Sequence, residues 1–145
     1  MLKRYLPFLV LVVLVISCSK DKLSTKPSIA IKSINGTEFT LLQDVVITLT
    51  FKDKEGDLGN GSLTYLRNRL NVYYPVINDL ADSVGYALPE FPKTTSGEIK
   101  VIIPSGFLSE NPQFNDTVNF KIFVKDVAGN VSDTVTTPTL ISVVE

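Results

Sequence analysis

Nine consecutive residues, Asp53-Lys54-Glu55-Gly56-Asp57-Leu58-Gly59-Asn60-Gly61, hold three carboxylates and three glycines, and a second acidic turn, Asp126-Val127-Ala128-Gly129-Asn130, follows later in the chain. Carboxylates and amide oxygens on glycine-rich loops are the hard-oxygen set that calcium takes, with roughly six to eight oxygens in a tolerant geometry. Asp53, Glu55, Asp57, Asp126 and Asn130 are therefore candidate metal ligands. The same residues are also ordinary turn formers, because aspartate bonds its own backbone and glycine accepts a positive φ. The Asp-x-Glu-x-Asp spacing begins like an EF-hand, but the twelfth position, where that loop needs glutamate, is Thr64.

Other chemistry is largely excluded. The chain has no histidine, no tryptophan and one cysteine, which removes Ser-His-Asp and Cys-His nucleophile systems and thiolate or imidazole zinc sites. Carboxylate pairs, a Ser-Lys dyad or a calcium-assisted site remain. Glycoside hydrolysis needs two carboxylates about 5–9.5 Å apart across a cleft, and a lone small sandwich rarely offers one. Glu90 sits in Leu88-Pro89-Glu90-Phe91-Pro92, read as a stiffened surface loop. The expectation is a protein that is not an enzyme, with no residue in a catalytic role.

The loops must be carried by strands. From Ser28 onward apolar residues alternate, and short β-branched runs are separated by glycine, proline, asparagine and aspartate, which is all-β patterning. The expected strands are 28–34, 45–52 (with Val45, Ile47, Leu49 and Phe51 on one face), 69–77 and 82–87, followed by 98–103, 117–126 and 132–143. Asn35-Gly36 supplies a turn between the first two, and Pro75 places its strand at an edge or a bulge. Leu63, Leu66 and Leu70 also fit a helical face, so 63–70 stays open between a strand and a helical turn. Strand count, turn spacing and length favour a single immunoglobulin-like Greek-key β-sandwich of about seven strands. In such a sandwich the second and sixth strands run the same way, so their following loops, the two acidic ones, converge.

Cys18 closes the tetrad Val15-Ile16-Ser17-Cys18 after Lys3, Arg4 and an apolar run from Tyr5 to Ile16. A basic start, a hydrophobic stretch of about 12 residues and a small residue before the cleavage point make a signal peptide, where a membrane span needs roughly 20. The tetrad resembles a lipobox, which implies cleavage before Cys18 and its acylation. The domain plan is then a lipoprotein signal peptide at 1–17, the lipidated cysteine and a polar linker at 18–27, and the folded domain at 28–145. Without Lys3 and Arg4 the chain carries 12 positive and 15 negative side chains, a balance that gives no reason to expect nucleic acid as a partner.

Phe51-Lys52-Asp53-Lys54-Glu55-Gly56-Asp57-Leu58-Gly59, with Asn71-Val72-Tyr73-Tyr74 and Gly97-Glu98-Ile99-Lys100-Val101, resembles small Bacteroidota lipoproteins that carry an immunoglobulin-like or cadherin-like domain with an Asp-Gly-Asp-Leu-Gly type loop. Val124 to Ser132 is similar to the final strands of bacterial immunoglobulin-like modules. The resemblance implies an outer-membrane lipoprotein of the bacterial cell envelope, with Lys20-Asp21-Lys22 a partial match to an export tag and the membrane face left open. It also implies O-glycan attachment at Asp-Ser/Thr-apolar triplets, which would fall on Ser83, Thr117 and Thr134.

The resulting expectation is a lipid-anchored, non-catalytic binding, adhesion or structural module, whose partners are the membrane, through acylated Cys18, and an envelope protein or glycan. A glycan-binding accessory lipoprotein of a polysaccharide uptake system is one alternative; it would use exposed aromatics among Tyr65, Tyr73, Tyr74, Tyr86 and Phe91. A calcium-stabilised cadherin-like module is the other. No cofactor is required beyond that calcium.

Overall fold

The computed structural model describes residues 25–71, 73–77 and 81–144, so Cys18 and the expected signal peptide at 1–17 lie outside the described residues. Among the described residues there are nine strands: β1 (Ser28–Ile34), β2 (Glu38–Thr40), β3 (Val45–Lys52), β4 (Ser62–Arg69), β5 (Ser83–Ala87), β6 (Ser96–Ile103), β7 (Asp116–Lys125), β8 (Val135–Thr136) and β9 (Leu140–Val143). They form two sheets. One has the order β1-β3-β6 and the other β2-β9-β7-β4-β5, with β8 paired to β7. In immunoglobulin lettering β1, β3 and β6 take the places of strands A, B and E, and β4, β5, β7 and β9 those of C, C′, F and G, so the chain folds as a Greek-key β-sandwich.

Alternation decides which residues meet. Val45, Ile47, Leu49 and Phe51 of β3 point inward against Val118, Phe120, Ile122 and Val124 of β7, and all eight are buried. Burying each such side chain fully contributes about 1.5–3 kcal/mol relative to leaving it in water. Tyr65 lies at the centre, edge-on to Phe120 at 5.6 Å and to Phe107 at 5.8 Å. β3 and β7 both end at the same end of the sandwich, where β6 begins and residue 25 leads into β1.

Several expectations need correction. Among the described residues of 69–77 only Arg69, the last of β4, is in a strand. The third long strand is Ser62–Arg69, neither helical nor ambiguous, with Leu63, Tyr65 and Arg67 facing in. Pro75 lies in the connection that follows, and Tyr73 and Tyr74 are both exposed. Asn35 does not turn β1 directly into β3. Its side chain bridges the strand ends instead, accepting from the Val46 N–H at 2.8 Å and donating to the Asp44 carbonyl at 2.9 Å. The chain between crosses to the other sheet, where β2 runs parallel to β9.

The single strand expected over 132–143 is two, because Pro138 cannot donate to a ladder and Thr137 diverts the Phe120 N–H to its own hydroxyl at 3.0 Å. The end of the segment read as a linker is packed, since Pro27 is buried and Lys26 pairs with Asp133 at 2.5 Å.

Candidate metal centre

The loop after β3 is shaped by its own first residue. Asp53 is 1% exposed, and its carboxylate accepts from the N–H of Glu55 at 3.3 Å and of Asp57 at 2.9 Å. Gly56, at φ +66°, takes the left-handed turn these bonds require. Leu58 is fully buried and pins the loop to the core. Gly61 then passes so close to the end of β7 that a Cβ there would lie 2.3 Å from the Lys125 carbonyl oxygen. Only glycine allows that approach.

The second loop repeats the device. Asp126 is 3% exposed, and its two carboxylate oxygens accept from the backbone N–H of Asn130 at 2.7 Å and from the Asn130 side-chain amide at 2.9 Å. Gly129, at φ +93°, completes the turn.

The loops converge as the strand directions dictate. Carboxylate oxygens of Asp53, Asp57 and Asp126 lie within 4.8 Å of one another, and none of the three is in a salt bridge among the described residues. Oδ1 of Asp57 is buried and has no hydrogen-bond partner. At an effective dielectric constant near 20, each pair of like charges at this spacing repels by roughly 3.5 kcal/mol. A hard divalent cation among them would turn that repulsion into attraction and occupy the unpartnered oxygen.

The five candidate ligands therefore separate. Asp53, Asp57 and Asp126 come together. Glu55 does not join them: it sits at the exposed tip of the turn and contributes only its backbone N–H. Asn130 holds Asp126 in place through both donors.

The other candidates are scattered. Ser83 opens β5 and is exposed, as is Thr134, whereas Thr117 is half-buried in β7 with its N–H bonded to Asn71 Oδ1 at 2.6 Å. The aspartates that precede them are in use. Asp82 faces Arg67, Asp116 accepts from the Ser109 hydroxyl at 2.9 Å and the Glu110 N–H at 2.8 Å, and Asp133 pairs with Lys26. At the end opposite the acidic loops, Tyr73 stacks on Phe114 with ring centres 4.9 Å apart, and both rings and Tyr74 are exposed. Phe114 gave no sequence signal, because it reaches Tyr73 only through the fold. Among the described residues no helix is long and apolar enough to cross a membrane.

No protein-family model matches the chain, and no curated protein does. Among solved structures it is similar to a β-glucosidase from Listeria innocua in complex with gluconolactone, at TM-score 0.44 and 11% identity, and to the same enzyme in complex with glucose, at 0.42 and 12%. A mutant of that enzyme in complex with laminaribiose gives 0.42 and 13%. The matches cover 82–83% of this chain, which spans about 16% of the length of those enzymes. Likeness at this level assigns neither an activity nor a ligand. What the geometry defines is a β-sandwich with paired acidic loops at one end.

Proposed function

We propose that this chain is a lipid-anchored, non-catalytic module of the cell envelope whose paired acidic loops bind a calcium ion that stiffens the sandwich. The observation that carries the calcium reading is the buried, unpartnered Oδ1 of Asp57 beside two further aspartates. Asp53, Asp57 and Asp126 would hold the ion, with backbone carbonyls or water filling its remaining positions. The anchor rests on the lipobox at Cys18 and on where the chain enters the fold: residue 25 precedes β1 at the loop end, so the tether and the ion would occupy one end of the module. Calorimetric titration of calcium into residues 19–145 tests the ion. Saturable binding that is lost in Asp57→Ala and in Asp126→Ala supports it, and no heat above dilution removes it.

The glycan-binding reading keeps one favourable observation. The stacked Tyr73 and Phe114, with exposed Tyr74, offer flat faces on which a sugar ring can stack, at the end away from the tether. Tyr74→Ala should then weaken retention on a soluble polysaccharide without changing the melting temperature.

A further inference from the structure

Among the described residues the two sheets end in four strands, β1, β6, β2 and β5, with the two-residue β8 off to one side, and three of the four are protected. β1 carries a register shift between Ile31 and Ser33, β2 has three residues, and β5 has five with Gly85 at its middle. Bulges, shortness and glycine all discourage pairing with another chain. β6 has neither a bulge nor a short span, and its one glycine, Gly97, is its second residue rather than at its middle. It runs eight residues in unbroken register with β3, contains no proline, and among the described residues pairs with β3 alone.

Its free edge can be read residue by residue. The Asp53 N–H donates to the Thr95 carbonyl at 2.9 Å, so residue 95 turns its backbone groups toward β3, as do 97, 99, 101 and 103 by alternation. Ser96, Glu98, Lys100 and Ile102 therefore present N–H and C=O to the open side, and all four side chains are exposed. Beside this edge, in the seam between the sheets, lies an open groove of about 400 Å³ whose lining includes Tyr86, Leu88, Phe91 and Ile99.

We propose that β6 is a homodimer strand: two copies pair β6 to β6, antiparallel, about a twofold axis at Ile99. That register places Glu98 of each copy directly opposite Lys100 of the other, twice across the axis, and exchanges backbone hydrogen bonds at those same positions. Ile99 meets Ile99 of the second copy at the mouth of the groove, and Ile102 lies over Ser96. The strand is thus self-complementary in charge, which identifies a second copy of this chain as its partner. The pairing depends on neither the cation nor the tether. Two copies joined this way direct the ends at which residue 25 leads into β1 oppositely.

Sedimentation velocity of the intact chain in non-ionic detergent, over a micromolar concentration range, tests it. The parent should reach a dimer. Lys100→Glu or Glu98→Lys alone sets like charges opposite each other at both sites and should weaken the dimer about tenfold or more. The double variant Glu98→Lys with Lys100→Glu should restore it; because either form of Glu98→Lys also loses the Lys32–Glu98 pair, Lys32→Ala, which should leave the dimer unchanged, and the melting of every variant control for folding. A parent that stays monomeric, a dimer indifferent to either single reversal, or a double variant that fails to recover would each overturn the proposal.

Discussion

The N–H of Val127 donates to the carbonyl oxygen of Asp57 at 3.3 Å, so the turn after β7 and the loop after β3 are joined by backbone as well as by proximity of their carboxylates. The arrangement of the three aspartates is consequently built by the fold. Local bonds at Asp53 and Asp126 set each loop, Gly61 sets their separation, and the repulsion that results is what the proposed cation would offset.

Gly61→Ala should destabilise the domain by about 1–3 kcal/mol, the usual scale for forcing a methyl group into filled space. The added Cβ meets the Lys125 and Leu58 carbonyl oxygens at 2.3 and 2.8 Å, so backbone has to move. Gly106→Ala is the control, with nothing within 4 Å of its Cβ, and should change stability by less than about 0.5 kcal/mol. Urea denaturation of both variants checks the contrast.

Glu110→Ala should cost about 3–5 kcal/mol, because breaking a buried ion pair leaves charge in a dry site. Oε1 of Glu110 lies 2.6 Å from Nη2 of Arg67, whose side chain has no exposure, and Oε2 faces Arg69. Lys32 and Glu98 make an equally short contact at 2.5 Å, but both are half in solvent. Lys32→Ala should therefore cost less than about 1 kcal/mol. Similar losses in the two variants would contradict this.

Burial, reinforced by the Tyr86 hydroxyl 3.3 Å away, pushes the Tyr65 phenol well above its ordinary value of 10.0. Above that pH the unfolded chain gives up the Tyr65 proton while the folded chain keeps it. This group's stabilisation is full below about pH 10 and then falls by about 1.4 kcal/mol per pH unit until the folded phenol itself ionises. Denaturation from about pH 9 to pH 11 should show a shallower loss in Tyr65→Phe than in the parent; parallel curves would refute the assignment.

Cys18→Ser should leave the precursor unacylated, read as loss of labelled palmitate incorporation. A serine variant that still takes up the label would end the lipobox reading.

Where side chains obeyed the strand period, the sequence was legible. β1 and β3 fall on the expected residues, and the convergence of the acidic loops follows from two strands running the same way. β4 was obscured by Arg67, a charge at a core-facing position that broke the alternation and left Leu63, Leu66 and Leu70 looking helical. Its partner Glu110 is 43 residues away and carries no local signal. β2 and β8 are too short to show a period, and both exist through pairing with distant strands. Glu55 enters the expected ligand set by residue type and place in the loop, neither of which says that the turn tip points its side chain to solvent.

The most direct test of the cation site is the melting of residues 19–145 in excess calcium and in chelator. Calcium at about 100 times its dissociation constant adds roughly 2.7 kcal/mol, a rise on the order of 10 °C for a domain of this size, and Asp57→Ala should abolish the difference. Equal melting in calcium and chelator would return Asp53, Asp57 and Asp126 to turn formation alone and contradict the proposed site.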